Sequence, residues 1–532
     1  MSPPGTQAQS NDPPAPHPLT DRQKMMLFLI MALGQFMALL DTQIVAASLN
    51  EIQAGLAASA DEISWVQTAY LIAEIIMIPL SGYLSRTFST RWLFTASAIA
   101  FTVASMACGL AWNIESMIVF RAIQGFVGGA MVPTVFATGF ALFQGKKQAL
   151  IPAILGIVST LAPTLGPTIG GYVTQSLSWH WLFFLNIVPG IVISIAVPIM
   201  CRIDLPDLRL LRTIDVIGAL LLTVFLGSLE YVLEEGPRQD WFDDPLISGL
   251  TLVSVVSGVF FIARALQHAN PIVDLHALRS RTFAMACSIN FVTGFGIFGT
   301  VYMLPLFLAR IGGLNSLQIG SAVFVAGVFM VLSTPPTAIL SRRMDLRLMT
   351  AIGLVMFAVA VYGMSQVSSD WRGEQFFWPQ ALRGFASMFC IVPATTLALG
   401  SLPPSQLKMA SALFNTTRNL GGAIGIATIN TMLNNRGKSH YAELVESLQR
   451  GRLAVDDYMA AMTQFFTPTA GSAAEAQHMA LAHLSSLVSR EANTLAFADA
   501  FRIVALLFAL VLLLVPFMGK PRGSVKVSVS DH

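Results

Sequence analysis

The sequence predicts an all-α polytopic membrane protein with fourteen transmembrane helices. The 532-residue chain is 54% hydrophobic and only 11% charged, whereas soluble proteins carry about 25% charged residues. Its mean hydropathy of +0.66 also places it among membrane proteins. Finally, its apolar residues fall into runs of about 20 residues, the length that a helix needs to cross a bilayer.

Fourteen such runs follow one another along the chain, and most are joined by short connections. Because backbone groups in lipid must satisfy their own hydrogen bonds, long uninterrupted apolar runs indicate helices and not barrel strands. The predicted spans lie at residues 25–47, 63–84, 92–111, 114–141, 149–174, 180–201, 214–234, 246–265, 282–308, 317–340, 347–367, 374–400, 408–433 and 496–518.

Basic residues are concentrated in alternate loops, which predicts the orientation of the chain. With both termini included, one side carries about 19 Lys and Arg residues, whereas the short loops of the other side carry only three. Because basic loops face the cytoplasm, we expect a multi-pass protein with both termini cytoplasmic. The three basic residues on the external side are Arg238, Arg310 and Arg372.

The termini and the cysteines are not expected to carry chemistry. Residues 1–24 are rich in Pro, Ser, Gln and Asn and are predicted to be a disordered cytoplasmic N-terminus, and residues 519–532 a cytoplasmic tail. The four cysteines lie in apolar segments at spacings that do not suggest metal binding, so we expect free, buried thiols. With no nucleotide-binding loop and no His/Cys cluster, we expect no enzyme activity, no cofactor and no metal.

Residues 434–495 break the pattern of short connections and form a long loop on the external side. Ser472 and Glu475 fit a capping box, and Leu481 and Val488 belong to a helical stripe of apolar residues. The loop is therefore predicted to contain helix. It could dock a partner, cover the outer mouth or serve as a solvated spacer.

The two ends of the chain resemble each other. The pattern S-R-x4-R occurs at 85–91 and at 341–347, and Arg121 in span four corresponds to Arg383 in span twelve, with offsets of about 255 to 262 residues. Two six-helix halves with a substrate path between them are a transporter architecture. The expected domains are an N-terminal half at 25–201, a linker with two inserted helices at 202–281, and a C-terminal half at 282–518.

Four motifs occur in order along the first half: LDTQIVAASL in span one, SGYLSRTFSTRWLF after span two, RAIQGFVGGAMVP in span four and LAPTLGPTIGGYV in span five. In order and spacing they resemble the major facilitator superfamily, in particular its fourteen-helix drug:proton antiporter branch of the EmrB/QacA type. The long external loop and LEEGPRQDWF after span seven are similar to the EmrB-like permeases. The resemblance covers nearly the whole chain and implies the major facilitator fold, with two six-helix halves plus two inserted helices.

Span five carries the pattern G-P-x-x-G-G. Its glycines let another helix approach closely, and its prolines remove backbone donors and bend the helix, so packing of small residues is one interpretation. The resemblance implies another, because the pattern matches the antiporter motif that is associated with exporters in the family. The residues concerned are Pro163, Gly166, Pro167, Gly170 and Gly171.

The segment after span two is a candidate cytoplasmic gate. Gly82 permits a tight helix exit, and Arg86 and Arg91 face the cytosol, where they are either a latch on the inward mouth or plain positive-inside charge. The resemblance shows a departure here. Arg86 stands where the superfamily usually has an aspartate, and Ser89 replaces the second glycine, so a latch in this chain cannot use that aspartate.

Ionisable residues inside spans are costly and therefore candidates for function. Asp41 lies about 24 Å from the cytoplasmic end of span one, a depth comparable to that of Arg121. We predict that Asp41 couples protons or pairs with Arg121, with a purely structural role as the alternative; the resemblance implies proton coupling for both residues. Glu74 in span two and Glu230 in the inserted span seven are further candidates for proton coupling, and Glu74 could also be a counter-charge for cationic substrates.

Polar residues that share faces with these groups outline an expected substrate path. In span thirteen, Arg418 either lines this path or pairs with a carboxylate. The path residues that we predict are Gln67, Tyr70, Gln124, Asn415 and Arg418.

We expect a secondary transporter that exports small amphiphilic, drug-like compounds in exchange for protons by alternating access. The alternatives are a dedicated exporter of a specific metabolite or siderophore, and a non-transporting membrane receptor or scaffold. The resemblance to the EmrB-like permeases also implies a location in the bacterial inner (cytoplasmic) membrane. It further implies a periplasmic EmrA-like adaptor and an outer-membrane TolC-like channel as partners. No feature of the sequence suggests nucleic-acid binding.

Overall fold

The computed structural model describes residues 19–143, 147–148, 150–314, 316–400, 402–448 and 452–518, and it is all-helical over these ranges. The helices are α1 (Asp21–Ala47), α2 (Leu49–Leu56), α3 (Ala60–Gly109), α4 (Ile114–Gly128), α5 (Met131–Leu142), α6 (Leu150–Ser176), α7 (His180–Phe184), α8 (Ile187–Met200), α9 (Val216–Glu235), α10 (Pro245–Gln267), α11 (Arg281–Arg310), α12 (Ser316–Leu340), α13 (Leu346–Met364), α14 (Phe377–Leu399), α15 (Pro404–Ser447), α16 (Leu453–Phe466) and α17 (Ala473–Val511).

The all-helical membrane fold is confirmed, but the count of fourteen spans is not. Eleven helices of the described part are long and apolar enough to cross a membrane, and a bent pair within α6 makes twelve. The count is lower partly because α3 alone covers predicted spans two and three, which are joined at a kink at Ser89. In addition, α15, which covers predicted span thirteen, is not among the eleven, since polar side chains such as Asn415 and Arg418 lower its hydropathy.

The first helix begins earlier than the sequence predicts. α1 starts at Asp21, inside the range expected to be disordered, because Thr20 and Gln23 form a capping box. This box satisfies backbone N–H groups that have no partner within the helix. The rest of the predicted disordered segment, residues 1–18, and the predicted tail lie outside the described residues.

The predicted external loop is largely helical. α15 continues to Ser447, well beyond its predicted end at residue 433, and α17 begins at Ala473 with Ser472 as its N-cap. α16 packs beside α17, where the Tyr458 hydroxyl lies 2.7 Å from Nδ1 of His483. The prediction of helix here is confirmed, because α15 and α17 both extend into the segment that hydropathy marked as a loop.

The packing order of the helices positions the site. In the first half, α1 packs against α6 and α8, and α3 packs closely on α4. In the second half, α11 packs on α15, and α14 lies between α12 and α13. α6 also contacts α12 and α14, and α15 contacts α3 and α5, so these helices form the seam between the two halves.

Candidate functional site

The centre of the first half is a buried ion pair. Nη1 of Arg121 on α4 donates to Oδ2 of Asp41 on α1 at 2.5 Å, and both side chains are fully inaccessible to solvent. The structure therefore brings together the two residues that the sequence predicted to lie at the same depth. A buried charge is tolerated when it is paired and hydrogen-bonded. Asp41 and Arg121 each provide the opposite charge and the hydrogen bond that the other needs.

Two amide side chains complete the environment of the Asp41 carboxylate. Gln124, one turn after Arg121, donates from Nε2 to Oδ1 at 3.0 Å and accepts from Nη1 of Arg121 at 2.8 Å. Asn186, which lies between α7 and α8, donates to the same Oδ1 at 2.6 Å and to the Ser105 hydroxyl at 3.0 Å. The carboxylate thus accepts from three donors on two other segments.

The aromatic ring of Tyr70 forms one wall of this site. The Arg121 guanidinium lies 4.2 Å from the ring centroid, a cation–π distance, and its Nε donates to the backbone oxygen of Val66 at 3.2 Å. α3 can approach α4 this closely because Gly125 faces it: a Cβ at Gly125 would lie 2.3 Å from the oxygen of Tyr70. Gly125 therefore fixes the distance between the ring and the arginine.

The other predicted acidic candidates lie outside this network. Glu74 on α3 forms no hydrogen bond or ion pair with a described residue, and Gln67, two turns earlier, has a buried Oε1 without a partner. Glu230 is 5% exposed and its Oε2 has no partner in the described part of the chain. Glu230 belongs to α9, which packs on α3 through a contact between Tyr231 and Trp65 at 5.5 Å.

The glycines of the predicted antiporter motif have different surroundings. A Cβ at Gly166 would lie 2.5 Å from Cβ of Gln43, and a Cβ at Gly170 would lie 3.1 Å from the oxygen of Ile44, so both allow α6 to pack on α1. A Cβ added at Gly171 would have no described atom within 4 Å outside its own helical turn. The prediction of close helix packing is therefore wrong for this residue. The two parts of α6 meet at 43° between Pro163 and Thr168; the side chain of Pro167 lies outside the described residues.

This difference gives a test within one motif. Gly166→Ala should lower the free energy of unfolding relative to Gly171→Ala by about 1–3 kcal/mol, because an added methyl group overpacks only the first position. The gain in helix propensity is the same for both substitutions, so it cancels in the comparison. Thermal unfolding of the purified protein in detergent measures the difference; equal midpoints for the two variants would contradict the packing.

The two halves meet at the residues of the predicted cytoplasmic gate. Gly82 on α3 faces α15, where a Cβ would lie 3.0 Å from both Cα of Met409 and Cβ of Ala412. Nη1 of Arg86 lies 3.0 Å from Sδ of Met409. Arg91 instead lies over the ring of its neighbour Trp92 at 4.9 Å. The structure therefore brings Gly82 and Arg86, but not Arg91, against the second half.

A carboxylate that the sequence analysis did not single out joins the two halves here. Asp204, in the linker after α8, accepts from the backbone N–H of Thr90 at 2.9 Å and forms a salt bridge with Lys408 at the start of α15. Lys408 also donates to the backbone oxygen of Ser85 at 2.7 Å. Asp204 thus supplies an acidic group where the two halves meet, from a different segment than the one that carries Arg86.

The kink at Ser89 makes this contact possible. Ser89 has a φ of +70°, which non-glycine residues rarely adopt, and it breaks α3 into two parts. The second part starts at Thr90 with free backbone N–H groups and the positive end of a helix dipole, where a carboxylate is favourable. Asp204 fills that position.

A cleft lies between the two halves beside α6. It has about 400 Å³ of empty space, including its open side, and it is lined by Ser159 and Pro163 of α6 and by residues of α11, α12 and α14. The polar residues of the second half at this cleft are Arg383 and Ser387, both on α14. Nε2 of Gln35 on α1 donates to Ser159 at 3.1 Å and thereby connects the cleft to the helix that carries Asp41.

The predicted path residues of α15 are buried on the side that faces the first half. Ser411 donates to the backbone oxygen of Pro133 at 2.8 Å, which fixes the orientation of this face. Asn415 and Arg418 follow it at helical spacing and are 3% and 9% exposed. Asn415 donates to the backbone oxygen of Ser411, whereas Nε and Nη2 of Arg418 have no partner among the described residues.

Sequence reasoning missed three residues of these sites. Asn186, Asp204 and Arg383 were not named as site residues, although Arg383 was recognised as the repeat counterpart of Arg121. The repeat could have identified Arg383 as a site residue, because it is the counterpart of Arg121. An arginine within a membrane span is costly and therefore a candidate for function. Asn186 and Asp204 are far from their partners in the chain and carry no local signal of their contacts.

Comparison with known proteins identifies the family. The sequence model of the Major Facilitator Superfamily matches residues 31–426. The colistin resistance protein EmrB of Acinetobacter baumannii is 38% identical, over 93% of this chain and 96% of its own. The multidrug export protein EmrB of Escherichia coli is 32% identical, over 81% of this chain and 84% of its own.

Solved structures agree on the fold. The human organic anion transporter MFSD10 superposes with a TM-score of 0.58 at 13% identity, covering 92% of this chain and 99% of that one. The proton:xylose symporter XylE superposes with a TM-score of 0.59 at 13% identity, covering 94% and 97%. At this identity the likeness shows the fold alone. Together with the family match, it establishes that this chain is a multi-pass membrane protein of the Major Facilitator Superfamily, related to the EmrB-type transporters.

Proposed function

We propose that this protein is a proton-coupled exporter that moves small amphiphilic compounds out of the cell in exchange for protons. The observation that carries the proposal is the fully buried Asp41–Arg121 pair, placed in the first half of a major facilitator fold. A carboxylate within a membrane span is costly to bury, so its presence there points to a function. The names of the EmrB relatives, which describe drug export and colistin resistance, support the same conclusion.

In this mechanism the proton acts on Asp41. The charged carboxylate holds Arg121, Gln124 and Asn186, and so links α1 to α4 and to the segment before α8. Protonation removes the charge that these donors bind and leaves Arg121 without its counter-charge. The state that contains the intact Asp41–Arg121 pair then becomes less stable. Proton uptake can therefore shift the equilibrium between two states of the protein.

The cytoplasmic gate is the second part of the proposed cycle. Gly82, Arg86 and the Asp204–Lys408 salt bridge hold α3, the linker and α15 together on the inward side. Opening of the inward mouth requires these contacts to break, because they join the two halves. α6 lies at the same seam, and its bend between Pro163 and Thr168 suits a helix that must adjust to both arrangements.

Location and partners belong to the same proposal. Export from the cytoplasm requires the inner membrane, and the distribution of basic residues supports cytoplasmic termini. We further propose that the helical extension of α15, α16 and the start of α17 contacts an EmrA-like adaptor, which in turn reaches a TolC-like channel. The extension is long enough to project from the bilayer, since residues 434–447 alone add about 20 Å of helix.

Proton release from inverted membrane vesicles tests the function. The vesicles are given an acidic interior, a panel of lipophilic compounds is added, and the internal pH is recorded for the native protein and for vesicles without it. An exporter of the proposed kind gives release that depends on both the compound and the protein. No release with any compound, from protein that is folded and inserted, would reject multidrug:proton antiport and favour a dedicated metabolite exporter.

A further inference from the structure

The segment that connects α8 to α9 carries an exposed apolar stripe. It contains a short 3₁₀ helix, Leu208–Thr213, called the linker helix below. Side chains three residues apart lie on one face of a 3₁₀ helix. Leu208 and Leu211 share such a face and are 57% and 42% exposed, and Leu205, three residues earlier, is 75% exposed. The described part of the protein therefore leaves this row of leucines uncovered.

The next face of the linker helix is basic. Arg209 and Arg212, again three residues apart, are both exposed, and neither forms an ion pair with a described residue. The two carboxylates that precede the helix have other partners. Asp204 forms the salt bridge with Lys408, and Asp207 accepts from the backbone N–H of Arg209 at 3.2 Å. The helix thus presents two guanidinium groups beside its apolar stripe.

The third face of the linker helix attaches it to the protein. Leu210 packs against the main hydrophobic core, and its backbone oxygen accepts from the hydroxyl of the buried Tyr83 on α3 at 2.8 Å. Ile203 before the helix and Ile214 after it pack on the same core. Because this face is held, the leucine face and the arginine face keep fixed directions away from the core.

Lipid is the surrounding that the apolar stripe fits. The helices before and after the linker are both long and apolar enough to cross a membrane, so the linker between their ends lies at a membrane surface. Ile199 near the end of α8 and Val216 at the start of α9 are exposed, as lipid-facing residues are. The stripe continues these two surfaces along the chain. A row of leucines beside a basic face is also typical of helices that lie in the membrane interface.

The two arginines select the lipid. A guanidinium binds a phosphate group through two parallel hydrogen bonds, and basic residues next to a bilayer are attracted to anionic lipids. We propose that the linker helix binds anionic phospholipid at the membrane surface, with the lipid phosphate on Arg209 and Arg212 and the leucine stripe among the acyl chains. Asp204 directly precedes this stripe, so bound lipid also holds its carboxylate against Lys408. The lipid therefore stabilises the contact between the two halves at the gate.

Native mass spectrometry tests the head-group site. The purified full-length protein in detergent is mixed with equal amounts of phosphatidylglycerol and phosphatidylcholine, and the retained lipids are counted. The native protein should retain phosphatidylglycerol in preference, and Arg209→Gln/Arg212→Gln should reduce this preference by about an order of magnitude. Arg342→Gln/Arg343→Gln is the matched control, because it removes two exposed arginines from the loop after α12. An equal loss in both variants would overturn the site.

A fluorescent label tests whether the leucine stripe enters the membrane. The four native cysteines are buried, so bimane can be attached to Leu208→Cys alone. In phosphatidylglycerol vesicles whose acyl chains carry bromine, the label should be quenched, and Arg209→Gln/Arg212→Gln in the same labelled protein should reduce the quenching. A label that stays unquenched would show that the stripe faces water or another protein chain. Quenching that is independent of the arginines and of phosphatidylglycerol would reject the anionic site.

Spin labels on the exposed residues Phe88 of α3 and Gln406 of α15 test the effect on the gate. Replacing phosphatidylcholine by phosphatidylglycerol should raise the closed fraction several-fold in the native protein but not in Arg209→Gln/Arg212→Gln. An equal rise in that variant would show that the lipid acts elsewhere, and would overturn the link to the gate. None of these measurements uses proton release, so the lipid site and the proposed export function can fail separately.

Discussion

Asp41→Asn is expected to abolish the proton release that substrates trigger in inverted vesicles. The asparagine keeps the size of the side chain but cannot take up and release a proton near neutral pH. It also leaves Arg121 buried without a counter-charge, and removing one partner of a buried pair costs about 3–5 kcal/mol of folding free energy. The measurement is the rate of proton release per folded protein, with the folded fraction determined by size-exclusion chromatography.

The double variant Asp41→Asn/Arg121→Gln separates coupling from folding. It removes both charges, so its stability should recover relative to the single variant while proton release stays absent. Asp215→Asn is the matched control. Asp215 is 2% exposed and pairs with Arg264 at 2.5 Å, but this pair joins the start of α9 to the end of α10. Its loss should leave proton release near the native rate.

Persistent proton release in Asp41→Asn would move the coupling site elsewhere. Glu74 and Glu230 would then be the next candidates, since both are carboxylates within the spans and neither has an ion-pair partner among the described residues. If Asp215→Asn abolished release as fully as Asp41→Asn, a general effect of removing buried ion pairs would explain the result, and the specific role of Asp41 would be rejected.

Asp204→Asn is expected to shift the protein toward the inward-open state. The asparagine can still accept from the Thr90 N–H, so the cap of the second part of α3 is kept, but the salt bridge to Lys408 is lost. A charge-assisted hydrogen bond contributes about 1.5–3 kcal/mol, and each 1.4 kcal/mol changes an equilibrium about tenfold. The ratio of open to closed inward mouth should therefore rise by about one to two orders of magnitude.

Distances between spin labels on the two sides of the gate measure this shift. Phe88 on α3 and Gln406 on α15 are exposed and flank the salt bridge, so labelled cysteines at these positions report on its opening. Lys408→Met should have the same effect as Asp204→Asn. Lys147→Met is the control, because Lys147 pairs with Asp21 on the surface of the first half alone. A distance distribution unchanged from native in both gate variants would show that the salt bridge does not hold the mouth shut.

Residues close in sequence could be grouped correctly before the fold was known. Gln124 lies one turn from Arg121, and the sequence placed both on one face because side chains three apart are neighbours on a helix. The Asp41–Arg121 contact was within reach because both depths could be counted along spans of predicted direction. The roles of these residues in coupling and along the substrate path stay predictions.

Other contacts were out of reach because they depend on how distant segments meet. Asn186 reaches Asp41 across 145 positions and Asp204 reaches Lys408 across 204, and no local pattern specifies either contact. The sequence analysis treated the three motif glycines alike, but the packing distinguishes them, since only Gly166 and Gly170 face α1. The continuation of α15 beyond its apolar run was also missed, because hydropathy reports where lipid ends and not where the helix ends.

The sequence by itself determined the membrane class and the helical fold, because hydrophobicity and the 1.5 Å rise of a helix act locally along the chain. Only the tertiary structure decided which ionisable residues neutralise one another. It paired Arg121 with Asp41, gave the equivalent Arg383 the neutral partners Gln380 and Thr300, and brought Asp204 of the linker to Lys408. The physical reason is that a buried charge is stabilised by whatever lies within a few ångströms of it, and packing between distant segments sets those neighbours.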